Sequence, residues 1–170
     1  TQPVRSLLAT GAALVSSGCA HMAIYAIKGG GWAGPLSWRK PILFGTSGGL
    51  MAISVGWLLF AGSLGPIADH VFADLFAFAI LIEVALITLQ CWRRVPSHFN
   101  KSTPLNTAIF HAIDGLIFLI TALLVIMTVR SFGPLDLSPD MALAARSGMC
   151  FLLLACALGA RTLWYGMRRV

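Results

Sequence analysis

The sequence predicts an all-α fold, a polytopic transmembrane bundle of five helices, and three observations predict it. First, 58% of the 170 residues are hydrophobic and only 11% charged, at a mean hydropathy of +0.84, where soluble domains carry about 25% charged residues. Second, the apolar residues gather into five stretches, each close to the about 20 residues that cross a hydrocarbon core of roughly 30 Å at about 1.5 Å per residue. Third, prolines mark where most of those stretches begin. The same composition excludes a soluble domain and a disordered chain. The 17 glycines have no period, which excludes collagen, and the four scattered cysteines do not make a disulfide scaffold.

The spans fall at residues 4–27, 41–61, 68–92, 104–129 and 139–166. The first carries Ala9, Ala13 and Ser17 at four-residue spacing, leading to His21, and the second, opened by Pro41, carries Gly48, Ala52 and Gly56. Small residues at that spacing let helix backbones approach, so both stripes are expected to face other helices and to put His21 inside the bundle. The third span follows Pro66 and holds Glu83 and Gln90 on one face. The fourth begins at Pro104 behind Thr103, and its His111 and Asp114 share a face. The fifth begins at Pro139 behind Ser138 and contains Arg146; proline suits a first helical position, and the preceding hydroxyls suit a cap. Together these spans read as a single membrane domain without internal repeats. Cys19, Cys91, Cys150 and Cys156 form no CxxC pair and read as packing residues. The run Leu14-Val15-Ser16-Ser17-Gly18-Cys19 resembles a lipoprotein cleavage site, against which the segment stays apolar past Cys19.

Lysines and arginines in short loops set the orientation. Lys28, Arg39 and Lys40 follow the first span, Arg93, Arg94 and Lys101 follow the third, and Arg168 and Arg169 close the tail. The other side has Arg5 and Arg130 with Asp69, Asp136 and Asp140 nearby. This predicts the N-terminus out and the C-terminus in. The net charge of +6 then reads as a basic cytoplasmic face turned toward anionic lipid, not as a nucleic-acid surface, because short scattered basic loops make no groove reader. Trp32, Trp38, Trp92 and Trp164 beside those charges read as an aromatic belt, and Gly29-Gly30-Gly31 as a flexible turn.

Ionisable groups inside a span cost about 3 kcal/mol each on insertion scales, so they tend to face the bundle interior and find partners. His21 and His111 are expected about 10 Å inside the inner boundary, with Glu83 and Asp114 near mid-depth at about 14 Å. These four form a candidate intramembrane site. Three readings compete for it: ligation of haem, a chlorophyll-type pigment or a metal, with His21 and His111 as candidate ligands; passage of protons or cations along carboxylates and imidazoles; or hydrogen-bonded helix glue without chemistry. His70, Asp74 and Arg146 make a candidate outer layer, in which Arg146 reaches Asp74 or Asp114. An enzyme is the poorer reading, since no nucleophile with an adjacent base and no phosphate-binding loop is present.

The run Gln90-Cys91-Trp92-Arg93-Arg94-Val95-Pro96-Ser97-His98-Phe99-Asn100, followed by Thr103-Pro104, resembles a loop of a set of uncharacterised bacterial multi-pass membrane proteins. Those also show a Lys-Pro-x-x-Phe helix start, here Lys40-Pro41-Ile42-Leu43-Phe44. No function comes with that likeness. Both segments lie on the predicted inner side, so Lys40, Gln90, Ser97, His98 and Asn100 are expected to form a polar cap over Glu83. Trp38-Arg39-Lys40-Pro41 is similar to an element of the translocator (tryptophan-rich sensory) protein family, also built of five spans. Because the later spans lack that family's Trp and Asn pattern, its porphyrin and sterol binding is not carried over. The resulting expectation is a small integral protein of a bacterial cytoplasmic membrane, an accessory subunit beside other membrane subunits of a redox or pigment-protein complex. The alternative is a standalone proton, cation or small-molecule carrier.

Overall fold

A computed structural model of the chain describes residues 1–168. Arg169, counted above among the basic tail residues, lies outside the described residues. Helices α1 (Gln2–Lys28), α2 (Arg39–Ala61), α3 (Pro66–Trp92), α4 (Pro104–Ser131) and α5 (Pro139–Met167) follow one another through short loops. Each is long and apolar enough to cross a membrane, so the chain is a multi-pass transmembrane helical protein. The helix bounds depart from the expected spans by two residues or fewer at each end.

Proline occupies the first turn of α1, α3, α4 and α5, whereas Pro41 lies inside α2 because Arg39 and Lys40 join that helix. The Thr103 hydroxyl accepts the Asn106 amide at 3.2 Å, but Ser138 makes no side-chain cap bond to its helix. Two main-chain bonds close α3: Val95 N–H donates to the Gln90 carbonyl and Arg94 N–H to that of Cys91. That is the Schellman pattern, whose turning residue is left-handed and usually glycine. Here it is Arg94, at φ 57°.

Helices α1 and α2 form the tightest pair, backbone against backbone. A Cβ on Gly49 would lie 2.6 Å from the Gly11 carbonyl oxygen, and one on Gly45 would lie 2.9 Å from the Gly18 nitrogen. The closest backbone approaches of α1 to α2 are therefore made at Gly11 and Gly18, with Leu7, Leu14 and Val15 on the same face. The expected stripe of Ala9 and Ala13 is exposed instead, because glycine permits a closer approach than alanine and that approach decides how α1 is rotated. Gly48, Ala52 and Gly56 of α2 are buried, with Gly48 facing Ile80 and Val84 of α3. Helix α3 packs on α1, α2 and α4, while α5 packs chiefly on α4. The core runs through Leu14, Leu58, Phe76, Ile80, Leu124 and Met127. Where lipid is as apolar as leucine, such packing stabilises by close contact rather than by removal of surface from water.

Candidate functional site

The C-terminal ends of α1, α3 and α5 and the N-terminal ends of α2 and α4 share one end of the bundle, here termed the basic end. The polar groups concentrate there. His21 is 8% exposed, and both its ring nitrogens are engaged. Nδ1 lies 2.7 Å from the Ser17 carbonyl oxygen, to which it donates, and Nε2 accepts the Trp92 indole N–H at 3.1 Å. This pattern assigns the ring proton to Nδ1. Trp38 completes the group, its ring crossing that of Trp92 edge-on at 5.3 Å between centroids.

The four residues of the expected intramembrane site do not converge. Gln90 and Asn106 set the register of α3 against α4 through a 3.3 Å bond, and Ile87 packs with Ile109 and Ile113 just beyond it. Glu83 therefore stands at the height of Ile113 and Asp114. It is buried among apolar neighbours, and no side chain among the described residues donates to its carboxyl. Asp114 is half-buried and its Oδ1, although shut off from the surface, has no hydrogen-bond partner among the described residues. His111 is exposed on α4, and α1 is not among the helices on which α4 chiefly packs, which are α3 and α5. His21 and His111 thus do not make a two-imidazole haem or metal pair: one has both ring nitrogens engaged, and the other is exposed on a helix that packs chiefly on α3 and α5. No cluster of three His, Cys, Asp or Glu side chains fit to hold a metal exists among the described residues.

The cap residues lie in two hydrogen-bonded chains around the loop between α3 and α4. In the first, Lys40 Nζ donates to the Ser97 hydroxyl at 3.1 Å, and that hydroxyl, 2.9 Å from His98 Nδ1, has its proton left to give to the ring. In the second, Arg93 donates to Gln90 Oε1 at 2.5 Å and to Asn106 Oδ1 at 3.0 Å. Asn106 Nδ2 reaches Ser102, whose hydroxyl and amide both bond to Asn100 Oδ1. Gln90 is 0% exposed, with both ends of its amide satisfied. Burial, and after it the Lys40 ammonium, lowers the His98 pKa from 6.5 to about 4. Asn106 and Arg93 were not among the expected site residues; a polar residue in the first turn of a span looks like an ordinary helix start.

The expected outer layer does not form. His70 and Asp74 are exposed. Arg146 reaches neither Asp74 nor Asp114 and instead donates to the carbonyls of Ser131 at 2.9 Å and Gly133 at 3.3 Å. Those carbonyls belong to the end of α4, where the last turn leaves acceptors unpaired and favours positive charge. The carboxylate that matters at this end is buried Asp69, which accepts from the Ser63 hydroxyl and the Leu64 amide. Arg130 ties the same loop down through the Ser63 and Pro134 carbonyls.

The chain matches no family model, no curated protein and no solved structure. Its surface carries two contrasting cavities. One, of about 770 Å³ between α2 and α5, is walled by apolar side chains such as Leu50, Trp57 and Met149. The other, of about 440 Å³ at the basic end, is bordered by Lys28, Arg94, Trp38 and Trp92.

Proposed function

We propose that the chain is a small integral membrane accessory subunit that assembles laterally with a second helical membrane protein, with α4 forming the contact. The observation that carries this reading is the state of His111 and Asp114. An exposed imidazole and a carboxyl with an unpartnered buried oxygen stand on neighbouring turns, about 10 to 15 Å beyond the helix start. An imidazole facing lipid at that depth, and a buried carboxyl oxygen left without a donor beside it, each cost several kcal/mol. A transmembrane helix bearing a hydrogen-bonding side chain would cover both. Several other polar groups within the spans are tied off inside the chain: His21 by Ser17 and Trp92, Arg146 by carbonyls, and Thr121 and Thr128 by the preceding turn. The carrier reading has less support, because below Glu83 the interior is filled by Phe72, Phe76, Leu124 and Met127.

The same reading sets the basic end at the cytoplasmic face of a bacterial inner membrane, with the N-terminus outside. It rests on the loop cations and the positive-inside rule.

A photo-crosslinking residue at position 111, introduced into the tagged chain in its native membranes, tests the assembly. The expected result is a crosslink to one different membrane protein, which also co-purifies in mild detergent and is lost from H111L/D114L. Crosslinks to lipid alone, or to a second copy of the chain, would overturn the proposal.

A further inference from the structure

At the basic end, positive charge stands without an Asp or Glu side chain to balance it among the described residues. Residues 1–68 and 84–113 contain no Asp or Glu, so the loops there present Lys28, Arg39, Lys40, Arg93, Arg94 and Lys101 unopposed. Two of these cations have internal work: Lys40 holds Ser97, and Arg93 holds Gln90 and Asn106. Lys28 and Arg94 instead border the 440 Å³ cavity; the Lys28 ammonium stands 5.7 Å from the centre of the Trp92 ring, and neither side chain donates a hydrogen bond to an acceptor among the described residues. The indole N–H of Trp38, on the same cavity, is likewise without an acceptor among them, whereas that of Trp92 is taken by His21.

Arg94 adds a second argument. It occupies the left-handed turn that ends α3, at φ 57°, a conformation in which glycine has no steric cost and arginine does. Its guanidinium is not needed to close the helix, because the Val95 and Arg94 amides already satisfy the Gln90 and Cys91 carbonyls. A long cation therefore sits at a strained position and faces a cavity. We infer that this cavity binds a phosphate-ester anion, held by Lys28 and Arg94 beside the indoles of Trp38 and Trp92. A guanidinium offers paired donors to phosphate oxygens and an ammonium offers a point charge. The cavity lies at the ends of spanning helices, the level of lipid headgroups, so the ester is either part of a lipid or a soluble phosphate compound reaching that surface.

The test uses the full chain in two arms. In the first, nanodiscs of mixed phosphatidylcholine and phosphatidylglycerol are dissolved in detergent, and the lipid retained by the protein is identified by native mass spectrometry. In the second, inorganic phosphate and glycerol 3-phosphate are titrated calorimetrically onto the chain in phosphatidylcholine nanodiscs. Retention of phosphatidylglycerol alone identifies a lipid headgroup as the ligand, and heat in the second arm identifies a soluble ester; either supports the site. Affinity is expected to fall about fivefold for each charge removed in K28Q and R94Q. R39Q/K101Q, which removes equal charge outside the cavity, is expected to stay within about twofold of wild type, since such exposed charges are screened. R94G releases the strained turn, so it should melt at the same or a higher temperature while still losing the ligand. Binding in neither arm, wild-type binding by K28Q/R94Q, or an equal loss in R39Q/K101Q would overturn the inference.

Discussion

His21 gives both ring nitrogens to the protein, so its partner Trp92 carries a measurable share of stability. W92F leaves Nε2 buried without a donor, which is expected to cost about 1–3 kcal/mol in detergent unfolding measurements. With H21L already in place, the same change should cost little, and equal costs in both backgrounds would show that the bond is idle. His98 behaves differently because its environment disfavours charge. Its pKa is held at about 4 in the fold against 6.5 for a free ring, so between those values the unfolded chain binds more protons, and stability rises with pH. The contribution is complete above about pH 6.5 and is lost as pH falls toward 4. The unfolding midpoint should therefore drop across that window in the wild-type chain and drop less in H98Q; parallel curves would refute it. Burial of His21 was legible in the sequence, but its partner was not. Trp92 lies 71 residues away, and a tryptophan beside arginines reads equally well as an interface residue. Nor could Arg146 be assigned, since main-chain carbonyls leave no residue-specific mark for it to be matched with.

The helices themselves were readable because hydropathy, length and proline all report on a single chain segment at a time. Their rotation was not, because it depends on which surfaces meet. Alanine at positions 9 and 13 and glycine at 11 and 18 offer α1 two small-residue faces, and the closer contact that glycine permits selects the second. G45A and G49A should consequently each destabilise the α1–α2 pair by about 1–3 kcal/mol through forced separation. G148A, where the added Cβ would meet no other element within 4 Å among the described residues, should be neutral or stabilising by up to about 1 kcal/mol. Equal effects at the three positions would mean that the backbone contact does not hold the pair. The end of α3 was only partly legible, as an arginine in place of the usual glycine hides the turn from pattern reading.

On the scale of the whole molecule, the two ends divide the labour. One end is stitched by Arg130, Arg146 and Asp69 to loop backbone, and the other gathers amide, imidazole and indole groups beside unneutralised charge. Reporter fusions should find the basic loops cytoplasmic and the N-terminus outside; the reverse would refute the orientation. The four-residue intramembrane site was misjudged because matched depth along separate helices says nothing about the direction in which each side chain leaves its axis. The glycine contact between α1 and α2 also bears on how the protein is made. Its two halves are consecutive in the chain, so the pair can lock together in the insertion machinery while the later helices are still being synthesised. Helix α5, which leans chiefly on α4, is then the last piece to settle. A nascent chain arrested soon after α2 should already yield a crosslinkable hairpin.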